Sequence, residues 1–329
     1  MPAAQKAHPF FLVGCGRSGT SLLRSLLNAH PRVAIPLESL FISDYLRSAD
    51  RWTLDQIKQH IVREPELGEW GLPVLVEDLG GCQTVGQVIV RLHELYAESK
   101  GKEHWGQKTP RLVRHLPLLA SHFPEARFIH LVRDPRAVVS SLIRSDVHRS
   151  TPWYGARRWV MDVRAGLEFE AQNPERIMRL SYEALVEDPE PRIEAIMRFL
   201  GLELDPGQLE AGMGAQEYSA FYANIHANLE GRVTDLFVEH WRSHLTVEDV
   251  ALIESSAAPL MDALGYSREN QVLQPPPRLS RVRAGWRRFG GLVPQLWRYL
   301  RYRRSYLLHL IRRKWRMGLL GEFLAEIYY

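Results

Sequence analysis

A glycine-rich turn near the amino terminus limits what this chain can fold into more than any other feature. The turn reads GCGRSGTS over residues 14–21 and follows an apolar run, Pro9–Val13, that predicts a β-strand. Leucines at 22, 23, 26 and 27 then recur with the spacing of one helix face. Glycines in such a turn expose backbone N–H groups, and the helix amino terminus adds partial positive charge. The pattern predicts a phosphate cradle; the plainer alternative is an ordinary strand–helix turn with a surface arginine.

Strand and helix patterns alternate along most of the remaining chain. Ala126–Val132 is the clearest buried strand, and Arg176–Leu180 predicts another. Ser181–Leu200 predicts two successive helices, and residues 48–103 are helical in pattern. This alternation predicts an α/β fold, a P-loop-like arrangement of three layers in which helices flank a central parallel sheet.

The charge of the chain is distributed unevenly. Thirteen of its 42 Lys and Arg residues lie between Arg278 and Arg316, and no acidic residue occurs from 271 to 321. The other 29 basic residues and 36 of the 38 acidic residues belong to residues 1–270. We therefore predict one mildly acidic domain over 1–270 and a helical basic extension over 271–329. The acidic domain argues against nucleic acid as a partner, whereas the extension is predicted to meet something anionic.

Aromatic and aliphatic residues interleave with the arginines of this extension, from Trp286 to Trp315. Such a composition is typical of an interfacial helix, with aromatic rings at headgroup depth and arginine heads reaching toward water. Residues 278–316 are therefore predicted to contact an anionic membrane surface. The alternative is a helical extension that packs on the acidic domain or on the partner in a homodimer.

Cysteine usage and hydropathy bear on the location of the protein. Only two cysteines occur, Cys15 and Cys82, so no disulfide framework is implied and a reducing compartment fits. Residues 1–8 are too short and mixed for a signal peptide, and no apolar stretch reaches the roughly 18 residues of a membrane span. We expect a cytoplasmic protein, either soluble or peripheral on the inner face of a membrane.

The spacing of the turn nearly matches the ATP- and GTP-binding loop, Gly-x4-Gly-Lys-Ser/Thr. Thr20 stands at the lysine position, and the cation of the loop lies earlier, at Arg17. A Mg-nucleotide enzyme needs that lysine on the outer phosphates and the following hydroxyl on the metal. The substitution favours another chemistry, with a nucleotide kinase kept as an alternative.

A second motif, RFIHLVRDPR, covers residues 127–136. Arg133 follows the predicted strand at its carboxyl end, which is the ligand edge of doubly wound folds. Ser141 comes about two turns into the next helix. An arginine fork and a hydroxyl together can clamp a second phosphate. In the alternative, Asp134 caps the helix and Arg133 is a structural ion-pair partner.

Together these motifs resemble the sulfotransferases that use 3′-phosphoadenosine 5′-phosphosulfate (PAPS), most of all the tyrosylprotein sulfotransferases and related bacterial enzymes. Their pattern Arg-Ser-Gly-Thr-Thr-Leu followed by Ala-His-Pro is matched at residues 17–22 and 29–31. Further matches follow in order: QKTP at 107–110, YEAL at 182–185, FLGL at 199–202 and LGY at 264–266. The resemblance implies sulfuryl transfer from PAPS to an acceptor hydroxyl on a glycan, a lipid-linked group, a peptide or a small molecule. No metal is expected, because the group that moves carries less charge than a phosphoryl group.

The resemblance also implies roles for individual residues. The 5′-phosphosulfate is expected to be held by Arg17, Ser18, Gly19, Thr20 and Ser21. The 3′-phosphate is expected at Arg133 and Ser141, and Tyr182 near the nucleotide. The expected catalytic residues are Glu38, Arg17 and Lys108.

Glu38 matches the family's catalytic base, a carboxylate that takes the acceptor's proton; the alternative is an ordinary carboxylate in the first turn of a helix. Lys108 resembles the lysine that stabilises the leaving group; the alternative is a surface lysine.

A few positions depart from the family or leave alternatives. The basic residue that usually precedes the late tryptophan is His240 here, and Arg232 or Arg242 are candidates to replace it. His104 is a reserve candidate for the base, whereas His30 and His130 are expected to be structural. A non-catalytic membrane-associated adaptor on the same fold is the remaining alternative.

Overall fold

The computed structural model describes residues 8–145, 150–211, 238–269, 297, 300, 301 and 304–321. The strands are β1 (Phe10–Gly14), β2 (Val33–Ala34), β3 (His104–Lys108), β4 (Arg127–Val132) and β5 (Ile177–Ser181). The first helices are α1 (Thr20–Asn28), α2 (Phe41–Arg47), α3 (Leu54–Ile61), α4 (Pro65–Glu69), α5 (Val85–Ser99), α6 (Leu116–His122) and α7 (Pro135–Arg144). The later helices are α8 (Pro152–Gln172), α9 (Tyr182–Glu187), α10 (Pro189–Leu200), α11 (Gln208–Ala211), α12 (Val247–Leu264) and α13 (Arg304–Arg316). Short 3₁₀ helices cover Glu77–Leu79, Pro110–His115, Pro174–Arg176 and His240–Ser243.

The five strands form one sheet in the order β2-β3-β1-β4-β5. Strand β1 pairs in parallel with β3 on one side and β4 on the other, and β2 pairs in parallel with β3. Because successive strands are added first on one side of β1 and then on the other, the carboxyl end of β1 is a topological switch point. The predicted α/β fold with a central parallel sheet is confirmed, and the glycine-rich turn leaves the sheet at that point.

The chain divides into two compact units, which are considered separately. The first contains the described residues of Met1–Gly14, Gly19–Leu131 and Gly166–Val233, and the second those of Cys15–Ser18, Val132–Ala165 and Thr234–Tyr329. The predicted boundary near residue 270 falls next to residues outside the described part, so the division into 1–270 and 271–329 stays a prediction.

In the first unit, alternate residues of β1 face opposite sides of the sheet. One side is covered by an aliphatic cluster drawn from β1, β4, α1 and α10, which includes Leu12, Ile129, Leu23, Leu26, Ile193 and Ile196. On the other side, the ring of Phe11 packs against Trp105 and Phe128, with centroids 5.9 and 5.7 Å apart. A strand buried on both faces explains why residues 10–13 are apolar without a polar alternation.

In the second unit, α7, α8 and α12 contribute a small buried cluster of Val139, Ala156 and Ile253. Beside this cluster lies a buried ionic network. Asp134 caps α7 by accepting a hydrogen bond from the backbone N–H of Arg136 at 2.7 Å. The guanidinium of Arg136 pairs with Asp134 at 2.6 Å and Glu254 at 2.9 Å and lies over the ring of Trp241. Asp134 is thus a helix cap, which is the role that the alternative interpretation of the RFIHLVRDPR motif gave it.

Two elements were not anticipated from the sequence. Strand β3 is a central member of the sheet, although HWGQK is short and largely polar, and helix α8 is 21 residues long. Among the helices described, none combines the length and apolarity that crossing a bilayer requires.

Candidate active site

The glycine-rich turn ends at Gly19, which caps the amino terminus of α1 in the left-handed conformation (φ 92°) and offers no side-chain hydrogen bond to the helix. The N–H groups of the first helical turn have no carbonyl partner within a helix, and they point outward from its amino end. Thr20 is buried, and so is Ser18, whose hydroxyl has no hydrogen-bond partner among the described residues. Unpaired N–H groups and an orphaned hydroxyl fit the binding of an anion such as a phosphate.

Tyr182 lies against Gly19. A Cβ atom added at Gly19 would overlap the tyrosine ring, so only glycine fits both the backbone angle and the contact. Tyr182 is the first residue of α9, whose amino end is capped by Ser181. The structure therefore brings Tyr182 to the turn, although 163 residues separate it from Gly19 in the chain.

Three of the expected site residues meet at the carboxyl ends of the strands. Lys108, the last residue of β3, donates a hydrogen bond from Nζ to Glu38 Oε1 at 2.5 Å and another to Ser21 Oγ at 3.4 Å. The Lys108 side chain is 3% exposed and that of Glu38 is 30% exposed. Lys108 is not a surface lysine, and the ion pair offsets the cost of burying its charge.

Glu38 lies in the segment between β2 and α2, before the first turn of α2, so it is not a first-turn helix carboxylate. Buried Arg24 of α1 fixes the chain ahead of it by donating hydrogen bonds to the carbonyls of Ile35 (2.5 Å) and Pro36 (3.0 Å). The indole N–H of Trp70 donates to the carbonyl of Leu37 at 3.1 Å. Arg24 was missed by the sequence reasoning, because a helical arginine gives no local sign of which carbonyls it reaches.

On the other side of Glu38, the N–H of Ser39 donates to Thr109 Oγ1 at 2.9 Å. The side-chain amide of Gln107 lies 2.7 Å from both Thr109 Oγ1 and His93 Nε2. Nδ1 of His93 lies 2.7 Å from the carbonyl of Ile89. This chain of hydrogen bonds runs from the interior of α5 to the residue next to Glu38.

The protonation of His93 follows from its burial, which lowers the pKa of the imidazole and keeps it neutral. A neutral ring has one N–H, and the Ile89 carbonyl requires that proton on Nδ1. We assign the Gln107 amide accordingly: its NH₂ group donates to His93 Nε2, and its oxygen accepts from the Thr109 hydroxyl. The Thr109 hydroxyl then donates to Gln107 and accepts from the N–H of Ser39, so the chain of hydrogen bonds holds the backbone next to Glu38.

In the second unit, the other expected phosphate residues also meet. Arg17 has a left-handed backbone (φ 76°), which is rare for a residue with a side chain. Its Nε donates to Ser141 Oγ at 3.0 Å, and Arg133 Nη1 donates to the carbonyl of Arg17 at 3.2 Å. The indole of Trp159 donates to the carbonyl of Arg133 at 2.9 Å. Two guanidinium groups and a hydroxyl are thereby gathered around a constrained backbone, an arrangement suited to anionic oxygens.

Arg158, on α8, lies against Gly16 of the turn and was not singled out in the sequence. Its Nη2 would be 3.0 Å from a Cβ atom at Gly16, and the residue is 9% exposed. Its ion-pair partner is Asp162, at 3.8 Å. A buried arginine one turn before a buried aspartate on a helix is no distinctive pattern, so sequence reasoning could not find it.

The remaining candidates lie elsewhere or outside the described part. His104 begins β3, about 13 Å of strand from Lys108, and it contacts Arg32 at 3.0 Å. The structure does not bring this reserve base to Glu38 and Lys108. His30 uses both ring nitrogens in hydrogen bonds with main-chain groups of Arg32 and Glu203, as expected of a structural histidine.

His240 is exposed at the start of a 3₁₀ helix, and Arg242 pairs with Glu239 and Glu269. Arg232 lies outside the described residues. Among those described, no group of three His, Cys, Asp or Glu side chains could hold a metal ion.

The parallel sheet and the glycine-rich turn before α1 define a P-loop-like α/β protein. The model of the sulfotransferase family matches residues 9–206, and the chain belongs to that family. A putative protein-tyrosine sulfotransferase of Caenorhabditis briggsae is 26% identical over 78% of this chain and 88% of its own length. Nodulation protein NoeE of Sinorhizobium fredii is 26% identical over 87% of this chain and 73% of its own length.

Among solved structures, the sulfotransferase domain from the curacin biosynthetic pathway has the same fold. Its TM-score is 0.60 at 20% identity, with 80% of this chain and 99% of that domain covered. The predicted relationship to tyrosylprotein sulfotransferases and bacterial sulfotransferases is confirmed.

Proposed function

We propose that this sulfotransferase moves a sulfuryl group from PAPS to an acceptor hydroxyl. The single observation that carries the proposal is the cluster of Ser21, Lys108 and Glu38 at the carboxyl ends of the strands, which joins a helix amino terminus, a buried cation and a carboxylate. A phosphate-binding turn occurs in many classes of enzyme. The carboxylate of Glu38 beside Lys108 adds a group that can accept a proton from an acceptor hydroxyl.

The donor would supply the sulfuryl group and an adenosine 3′,5′-bisphosphate leaving group. Gly19, Thr20 and Ser21 bind the 5′-phosphosulfate through backbone N–H groups and hydroxyls, with Ser18 and Arg17 on the same turn. Arg133 and Ser141 bind the 3′-phosphate, since a guanidinium and a hydroxyl can share its oxygens. The bare face of Gly19 keeps Tyr182 close to the nucleotide.

In the reaction, the acceptor oxygen forms a bond to sulfur while the bond between sulfur and the 5′-phosphate oxygen breaks. Glu38 accepts the proton of the acceptor hydroxyl. The electron pair of the broken bond remains on the phosphate oxygen, and Lys108 and Arg17 stabilise that charge. When the donor binds, the ammonium group of Lys108 can move its contact from the carboxylate of Glu38 to the phosphate of the donor, because both groups are anionic.

The test is to replace Glu38 by alanine or glutamine. Turnover of radiolabelled donor with phenols, tyrosine peptides and soluble glycans should fall by about 10²–10⁴-fold, the range for loss of a general base. The affinity of both Glu38 variants for adenosine 3′,5′-bisphosphate, measured by calorimetry, should stay within about twofold of the parent. In the control variant Glu175→Gln, at an exposed position, turnover and bisphosphate affinity should both stay within about twofold of the parent. Normal turnover in both Glu38 variants would place the base elsewhere.

The same calorimetry separates the alternatives. Binding of ATP with Mg²⁺ in preference to the bisphosphate would indicate a nucleotide kinase, and binding of neither would indicate a non-catalytic adaptor. Binding of the bisphosphate without metal supports a PAPS-dependent enzyme.

The proposed function also includes the class of the sulfuryl acceptor and the cellular location of the protein. The names of the relatives include protein-tyrosine sulfotransferases and a nodulation protein, so we propose a hydroxyl on a peptide, a glycan, a lipid-linked group or a small molecule. A cytoplasmic location stays a prediction, which rests on the presence of only two cysteines in the sequence.

A further inference from the structure

Helix α13 has an exposed face on which large apolar side chains recur. Trp315 is 70% exposed, and Leu308 and Ile311 are also exposed. Trp297 and Leu300, both helical and exposed, lie three residues apart, and Leu300 precedes Leu308 by eight residues, about two helical turns. The opposite face is formed by side chains that are already buried, among them Leu307 and Leu310.

The same exposed face is strongly basic. Arg301, Arg304, Arg312 and Arg316 are exposed among these apolar side chains. The sequence from 271 to 321 contains no acidic residue. An exposed apolar stripe bordered by one sign of charge marks an interaction surface rather than an ordinary solvated helix.

We propose that this face of α13 docks on the surface of an anionic lipid bilayer. Tryptophan and aliphatic side chains enter the headgroup region, while the arginines bind lipid phosphates and carboxylates. The charge complements an anionic bilayer and opposes a second copy of this chain, because docking by the same face would place arginines against arginines.

The test uses the full-length protein and sedimentation with vesicles of phosphatidylcholine, with or without phosphatidylglycerol. Binding should require the anionic lipid. Arg312→Glu combined with Arg316→Glu should weaken it by more than about tenfold, since a basic residue near such a surface contributes about 1 kcal/mol, roughly fivefold, and each reversal adds repulsion. Trp315→Ala with Ile311→Ser should also weaken it.

Matched controls use exposed residues elsewhere, Arg192→Glu for charge and Leu75→Ser for apolar surface. Both should bind as the parent does. Equal binding by the α13 variants and the controls would overturn the proposal. So would a lack of binding to anionic vesicles at low salt, or a dimer in light scattering that the α13 variants dissociate.

Arg158 carries a second inference, and this inference rests on the proposed function. Its guanidinium is buried with one distant ion-pair partner, Asp162, and its Nε makes no hydrogen bond with any described residue. A buried N–H donor without a hydrogen-bond partner is unfavourable, and Nε of Arg158 is such a donor among the described residues. Nη2 faces the bare side of Gly16 in the anion-binding turn. We infer that Arg158 binds the 5′-phosphate of the donor.

Calorimetry with adenosine 3′,5′-bisphosphate and with adenosine 5′-monophosphate tests this role. Arg158→Met should weaken both ligands about tenfold or more, because both carry the 5′-phosphate, whereas its exposed neighbour variant Arg157→Met should weaken neither. Arg158→Lys, which keeps the charge beside Asp162, shows whether any loss reflects folding, and thermal unfolding is measured alongside.

Binding of the bisphosphate by the parent protein separates a failure of the proposed function from a failure of the role of Arg158. If the parent protein binds no bisphosphate, the proposed function is wrong. If the parent binds it and folded Arg158→Met binds it equally well, the role of Arg158 alone is wrong.

Discussion

The cations at the sheet edge and the cations of α13 have opposite surroundings. Lys108 is buried and held by Glu38 and Ser21, whereas Arg312 and Arg316 extend from an exposed helix face. A buried cation fixed by several partners suits one anion of defined shape, because its position is set before the ligand arrives. Exposed, flexible cations suit many interchangeable anions, and salt screens them. This difference is the one expected if Lys108 contacts the donor and α13 docks on an anionic bilayer, as we propose.

The largest effect should come from Lys108. Lys108→Met should lower turnover by about 10²–10³-fold, the range for loss of one group that stabilises developing charge. Arg312→Met should leave turnover of a soluble acceptor unchanged. Combining Lys108→Met with Glu38→Gln should cost much less than the product of the two single effects, because the residues act as a pair. Comparable losses for Lys108→Met and Arg312→Met would remove the distinction between the two regions.

The next largest effect concerns the turn itself. Gly19→Ala forces a side chain into a left-handed backbone and against the Tyr182 ring, so bisphosphate affinity should fall at least about tenfold. Gly71→Ala is the control, since Gly71 has a similar φ of 68° but open space around it. Isothermal calorimetry measures both. Similar losses in the two variants would show that the loss at Gly19 is a general effect of backbone strain on the fold and does not come from the tyrosine contact.

Salt should separate the regions by a smaller factor. Between ionic strengths of about 0.05 and about 0.5 M, vesicle binding should weaken at least about tenfold more than bisphosphate binding, because solvent ions screen exposed charges far better than buried ones. Parallel titrations with vesicles and nucleotide give the two slopes. An equal dependence of the two affinities on ionic strength would mean that the cations proposed to bind the donor are as exposed to solvent as those of α13.

The smallest effect is a pH dependence of stability from His93. Its folded pKa is lowered below the ordinary 6.5 by burial, so the unfolded chain binds a proton that the folded chain does not. The contribution of His93 to the free energy of unfolding is therefore fully present above about pH 6.5. Below that pH the free energy of unfolding falls by at most about 1.4 kcal/mol per pH unit. Urea unfolding of the parent and of His93→Gln should show a shallower decline in the variant. Identical declines would assign the acid sensitivity to other histidines.

The sequence by itself determined the turn and the class of fold. A strand, a glycine turn and a helix succeed one another within about 20 residues, and short-range backbone preferences specify them. The positions of Arg133 and Ser141 were predictable for the same reason, since Arg133 directly follows a strong strand pattern and Ser141 lies in the helix that comes next. The family motif then identified Glu38 and Lys108 as candidates without indicating that they touch.

Only the tertiary structure decided which distant residues meet. The strand order places β3 beside β1 and thereby brings Lys108 to Glu38, 70 residues away in the chain, yet β3 itself is too short and polar to show a pattern. Tyr182 on Gly19, Arg158 on Gly16 and the chain from His93 to Ser39 likewise depend on packing. Local propensities act over a few residues, whereas these contacts depend on which strands become neighbours, and that is settled by burial of the whole core.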